Sequence, residues 1–168
     1  ISLIQPPTTG RIVISGRITN GGFEKDTIAP WDFNVADPAL ATLTGDVGPR
    51  SAQAALINIA RATANERDIA LSQSGLTLPN NRAVFLDFYG RATTATQLSV
   101  HLTSIDGTIL WQRQLRMPES GPDRRYRHFF MPIEAPAAAN ARLSFYLGRA
   151  TGGIAIDDVQ LCDAPQQF

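Results

Sequence analysis

Cysteine occurs once in these 168 residues, at Cys162, lysine once, at Lys25, and histidine twice, at His101 and His128. A lone cysteine forms no internal disulfide, and no Cys/His grouping has zinc spacing, so cysteine says nothing about compartment. No apolar run approaches the roughly 18 to 20 residues that a membrane-crossing helix needs, and no Asn-x-Ser/Thr acceptor is present. No basic and then apolar leader opens the chain at Ile1, so a signal peptide is expected to be absent or already removed. Net charge is lacking too: fifteen basic residues balance fifteen acidic ones. That balance excludes a protein held to nucleic acid mainly by phosphate neutralisation. Gly-x-Ser-x-Gly elbows and phosphate-cradling Gly-Lys-Ser/Thr loops are likewise missing.

What remains is 43% hydrophobic and 18% charged, the composition of a globular chain. Gly, Pro, Asn and Asp cut it into many short apolar or alternating runs, the spacing of an all-β sandwich or barrel. Candidate strands run over 11–15, 53–59, 69–73, 83–89, 97–103, 109–114, 126–133, 142–147 and 153–161. Asp106-Gly107 between two apolar runs predicts a hairpin turn. The stretch 51–65 has helical propensity, but the alternation of Gln53, Ala55, Ile57 and Ile59 favours a strand. Residues 1–10 read as a linker, 11–163 as one domain and 164–168 as a tail, so the chain is expected to be a module of a longer protein.

Period-two alternation sorts these strands into two faces. Val84, Leu86 and Phe88 oppose Phe85, Asp87, Tyr89 and Arg91; Leu98, Val100 and Leu102 oppose Gln97, Ser99, His101 and Thr103; Leu143, Phe145 and Leu147 oppose Arg142, Ser144 and Tyr146. The second set is read as one sheet face mixing aromatic rings with amide, carboxylate, guanidinium and imidazole groups. Such a face suits sugars: a ring covers the apolar side of a pyranose while short polar groups bond its hydroxyls. A solvated face with its aromatics packed on cross-strand partners is the alternative. Trp111 shares either that face, as a stacking platform, or the core.

Three stretches, in order, carry a family resemblance. They are Ile18-Thr19-Asn20-Gly21-Gly22-Phe23-Glu24 with Trp31; Ile69-Ala70-Leu71-Ser72-Gln73 running into Phe88-Tyr89-Gly90-Arg91-Ala92; and Ala141 to Gly148 followed by Ile156-Asp157-Asp158-Val159-Gln160-Leu161. Together they resemble carbohydrate-binding modules of the family 4, 9 and 22 type, which are galactose-binding-domain-like. The resemblance implies a jelly-roll β-sandwich of two antiparallel sheets with a concave face that takes polysaccharide or oligosaccharide. It also implies a structural calcium, held by Glu24 and one Asp of Asp157-Asp158, with Asp157 favoured. Calcium takes hard oxygens, and the turn at 20–22 offers backbone carbonyls. Trp31 is expected in the core. Where such modules often carry Trp, this chain has Tyr126, and the stretch 120–128 is rich in Arg.

The reading that follows is a noncatalytic, secreted or envelope-borne glycan-binding module, tethered to neighbouring domains, with no nucleic acid partner and no membrane insertion. Phe85, Tyr89, Tyr146 and Trp111 are the expected stacking residues; Asp87, His101, Gln97 and Arg142 are the expected hydrogen-bonding ones. The segment Arg124 to His128, if functional, suits carboxylates or sulfates of an acidic polysaccharide. A structural or adhesion module is the rival class. An enzyme is the third, and it requires Asp87 and His101 within hydrogen-bond reach beside a cleft.

Overall fold

A computed structural model describes residues 18–46, 48–49, 53–79, 83–123 and 125–163. The expected strand at 11–15, the linker, the tail and Arg124 lie outside these described residues. The strands are β1 (Asp32–Val35), β2 (Ala41–Asp46), β3 (Ala54–Ile59), β4 (Ile69–Leu78), β5 (Val84–Ala92), β6 (Thr96–Thr103), β7 (Ile109–Met117), β8 (Arg127–Ile133), β9 (Ala138–Tyr146) and β10 (Gly152–Asp163). Two five-stranded antiparallel sheets result, ordered β1-β4-β9-β6-β7 and β2-β3-β10-β5-β8. The expected all-β sandwich is therefore present. β1 and β2 had no counterpart in the sequence reading, and the segment around 54–59 is a strand, paired with both β2 and β10.

Alternation puts the apolar side chains of both sheets face to face. From the first sheet come Leu71, Leu143, Phe145, Val100 and Leu102, all at 0% exposure; Ile57, Ile154, Leu86 and Phe88 meet them from the second at the same value. Phe88 ties the layers together. Its ring stacks on Phe129 within its own sheet at 4.8 Å and meets Phe145 of the other sheet edge-on at 5.2 Å. Trp31 is buried as expected, beside Phe23 and Phe145, with its indole N–H donating to the Asn20 carbonyl at 3.0 Å.

The Asp106-Gly107 turn joins β6 to β7, with Gly107 at φ 88 and the Ser104 and Thr108 backbones bonded across it at 2.8 Å. Most other connections cross between the sheets. After β5, Thr93 exchanges hydrogen bonds with Gly153 at the start of β10, extending the β5–β10 ladder by one residue before β6 begins in the opposite sheet.

Candidate functional site

The register sorts the expected ligand residues into two groups on opposite sides of the sandwich. Gln97 and His101 on β6 and Arg142 and Tyr146 on β9 share the outer face of the first sheet. Phe85, Asp87 and Tyr89 on β5 lie on the outer face of the second. The single mixed face expected from alternation is thus corrected to two faces. Period-two patterning separates inside from outside but carries no information about which sheet a strand joins.

On the first sheet the register lines up polar residues across the strands. One row runs Asp32, Ser72, Ser144, His101 and Gln112; the next runs Asn34, Ala70, Tyr146, Ser99 and Gln114. Ser72, Ser144, Ser99 and His101 are buried although they point away from the core, and the Ser72 hydroxyl donates to Ser144 at 3.0 Å. The covering element is the short 3-10 turn Glu66–Asp68, which enters the face at one end. Gly148 makes that approach possible: a Cβ there would sit 2.1 Å from the Asn65 carbonyl oxygen. The Gly148 N–H donates to the Glu66 carbonyl at 2.8 Å and the Thr63 N–H to the Gly148 carbonyl at 2.6 Å, holding this turn on the sheet.

Glu66 then reaches back over the face. Its carboxylate accepts from the Ser99 hydroxyl at 2.6 Å and lies 3.5 Å from His101 Nε2. His101 meets the ring of Tyr146 edge-on, centroids 4.8 Å apart, and the Arg67 guanidinium sits over that same ring at 5.4 Å. Burial holds His101 below the usual histidine range; nearby Glu66 opposes that shift and Arg67 adds to it. His101 Nδ1 is buried without a hydrogen-bond partner among the described residues. Glu66, Ser99, His101, Gln112, Arg113 and Gln114 line a groove of about 310 Å³ at this place. Arg142 lies farther along, 4.0 Å from Asp32, with both side chains more than a third exposed and the contact screened by water.

The outer face of the second sheet is differently built, because its groups bond one another. The Asp87 carboxylate pairs with His128 and accepts from the Gln160 amide at 3.3 Å. Tyr89 stacks on His128 at 4.7 Å, and Phe85 on Phe130 at 4.7 Å with planes 5° apart. Phe85 and Tyr89 thus each stack on a ring from the neighbouring strand β8. Arg91 pairs with Asp46 and lies 4.9 Å above Tyr126. Burial pushes the Tyr126 phenol up to about 12; Arg91 opposes this, and the charges of Asp46 and Asp157 reinforce it.

Several expectations change in consequence. Asp87 and His101 stand on opposite sides of the sandwich, so the acid–base pair that an enzyme reading required is not formed. Trp111 stands opposite Leu102 and packs against the core, so it is not on the polar face; the register breaks between Leu102 and Thr103, which shifts the parity read from sequence. Asp157, at 0% exposure, stands opposite Tyr89 in the second sheet and its charge acts on Tyr126. Asp158, at φ 49, directs a carboxylate oxygen to within 3.5 Å of where a Gly22 Cβ would lie, and the Cγ of Glu24 is 3.6 Å from that same point. Among the described residues no cluster of three or more His, Cys, Asp or Glu has metal-holding geometry, and no helix is long and apolar enough to cross a membrane. Sequence reasoning did not single out Glu66, Arg67, Gln112, Arg113 or Gln114 for this face. Only the alternation of Gln112 and Gln114 carried a signal for them.

No family model and no curated protein matches this chain. Solved structures do. A CBM4 structure is 22% identical, covering 88% of this chain and 99% of its own, with a TM-score of 0.67. The second N-terminal cellulose-binding domain of Cellulomonas fimi β-1,4-glucanase C is 15% identical, covering 84% and 90%, at 0.64. A cyclase from Fischerella sp. is 16% identical, covering 95% and 100%, at 0.62, so the same frame also carries catalysis. With its two five-stranded antiparallel sheets, the chain has the jelly-roll β-sandwich fold of the carbohydrate-binding modules.

Proposed function

We propose that this domain is a noncatalytic glycan-binding module that takes a polysaccharide on the outer face of its first sheet. The observation that carries the reading is the groove beside Tyr146, where an aromatic ring adjoins small hydroxyls, two amides, an imidazole and a carboxylate. A half-buried ring supplies a platform for the apolar side of a sugar. Ser99, Gln112 and Gln114 supply directional donors and acceptors, and the buried Nδ1 of His101 gains a partner when a ligand hydroxyl reaches it. Likeness to modules such as the cellulose-binding domain above supports the class and leaves the glycan undecided. Secretion or display on a cell envelope, tethered to an enzyme or surface, accords with this role because a shallow groove binds weakly alone.

Affinity electrophoresis through gels containing soluble polysaccharides, alongside a glycan array, tests the reading. Retention that Tyr146→Ala weakens without unfolding the domain supports it. A blank result for the wild-type chain across neutral and acidic glycans overturns it and leaves the structural or adhesion role.

Calcium belongs to the same proposal. Glu24 and Asp158 flank Gly22 and carry the hard carboxylate oxygens a calcium ion takes, whereas the Asn20 and Gly21 carbonyls already accept from Trp31 and Val159; the place of Asp158 beside Gly22 and Glu24 supports it over Asp157. Such an ion would brace the start of the described chain against β10, where the Val159 N–H already donates to the Gly21 carbonyl at 3.0 Å.

A further inference from the structure

The charges around the groove are distributed unevenly for a chain whose formal net charge is zero. Arg67 lies over Tyr146 at one side, Arg113 lines the groove at the other, and Arg116 stands opposite Gln97 on the same outer face. None of the three has a carboxylate within ion-pair distance among the described residues, whereas Arg61, Arg91 and Arg125 each have one. The carboxylate inside the groove is already committed: Glu66 accepts from Ser99 at 2.6 Å and faces His101 at 3.5 Å. Arg67 and Arg113 therefore stand on the two sides of an aromatic ring without an ion-pair partner among the described residues, while the negative charge of Glu66 stays at the Ser99 end.

We propose that the glycan taken here is acidic, a polymer whose rings carry carboxylate or sulfate groups. The inference rests on the glycan reading above and names the substrate class of that site. The Arg67 guanidinium already sits over the Tyr146 ring at 5.4 Å, so a sugar seated against the free part of that ring meets Arg67 directly, and a charged substituent on its edge faces a planar fork of N–H donors. Arg matches carboxylate and sulfate oxygens in bidentate fashion, which a neutral hydroxyl cannot repay to the same degree. Glu66, fixed by Ser99, sets the opposite limit: it repels an anionic group at the Ser99 end and so orients the polymer with its charges toward the arginines.

Affinity electrophoresis of the wild-type domain in gels of polygalacturonate and of dextran sulfate, against neutral xylan and laminarin, decides the matter. Retention is expected in one or both acidic gels; the polygalacturonate and dextran sulfate arms distinguish carboxylate from sulfate. The double variant R67Q/R113Q should lose roughly tenfold to a hundredfold in affinity for the acidic polymer while its circular dichroism and melting midpoint stay unchanged. R125Q/R127Q, in the other Arg-rich segment, should retain that affinity. Stronger retention by the neutral gels, an unchanged R67Q/R113Q, or a loss confined to R125Q/R127Q overturns the acidic assignment and leaves the glycan reading standing. Retention in no gel overturns both.

Discussion

His101 and Tyr146 meet edge to face across β6 and β9, ring centroids 4.8 Å apart and planes at 83°. Among the described residues the contact joins a buried imidazole of the outer face to its one half-exposed aromatic ring, so packing and the proposed recognition share one pair of side chains.

Removing the ring tests recognition. Tyr146→Ala should lower glycan affinity by roughly tenfold, about 1.4 kcal/mol, while Tyr89→Ala, on the opposite side of the sandwich, should leave it unchanged. Retention in affinity gels measures both. A larger loss from the Tyr89 variant would place the ligand on the wrong sheet.

Asp87 makes the converse case. Its buried carboxylate is bonded to His128 and Gln160, so Asp87→Ala should cost about 1–3 kcal/mol of stability in urea unfolding and little affinity. Equal stability of variant and wild type would show that this pairing contributes nothing.

Acid should loosen the domain through His101. Burial lowers its folded-state pKa below the 6.5 of an ordinary imidazole, so the unfolded chain binds more protons and stability falls as pH drops from about 6.5 through the folded value. Unfolding curves collected down that range should lose their slope in His101→Gln. A variant as acid-sensitive as wild type would assign the effect to another group.

Alkali reports on Tyr126. One of the three tyrosines should ionise near 12 in an absorbance titration, and Tyr126→Phe should remove that step. The unfolded phenol loses its proton near 10.0, so the folded state is the more protonated and loses stability as pH rises between 10.0 and about 12.

Chelation tests the proposed ion. Calcium should raise the melting midpoint by several degrees over chelator in wild type and in Asp157→Asn, and not in Glu24→Gln or Asp158→Asn. An identical midpoint with and without calcium in the wild-type chain would remove the site.

Much of the frame was legible because it depends on local rules. The Asp106-Gly107 turn, the inward Leu86 and Phe88, the buried Trp31 and the outward Ser99, His101 and Tyr146 all follow from turn chemistry and alternation. What was illegible is long-range. β5 and β6 are separated by only Thr93, Thr94 and Ala95, which looks like a hairpin within one sheet; β5 instead pairs with β10 and β8 and β6 with β9 and β7, so this short link crosses between the sheets. Trp111 stayed open between face and core because a break in register reverses parity beside it, which no composition rule records. Glu66 and Arg67 came to the groove through Gly148, a residue 82 and 81 positions away in the chain, whose role is to be small.

The strand order also dictates when the protein can become itself. β10, the last strand in chain order among the described residues, lies in the middle of the second sheet between β3 and β5, and β4 waits for β9. A nascent chain therefore holds the first sheet in two pieces until β9 emerges and the second in two pieces until β10 does, with open edges that are sticky. Folding of the second sheet is accordingly expected to wait for β10, and a premature stop before Gly152 should yield an aggregating fragment rather than a smaller module.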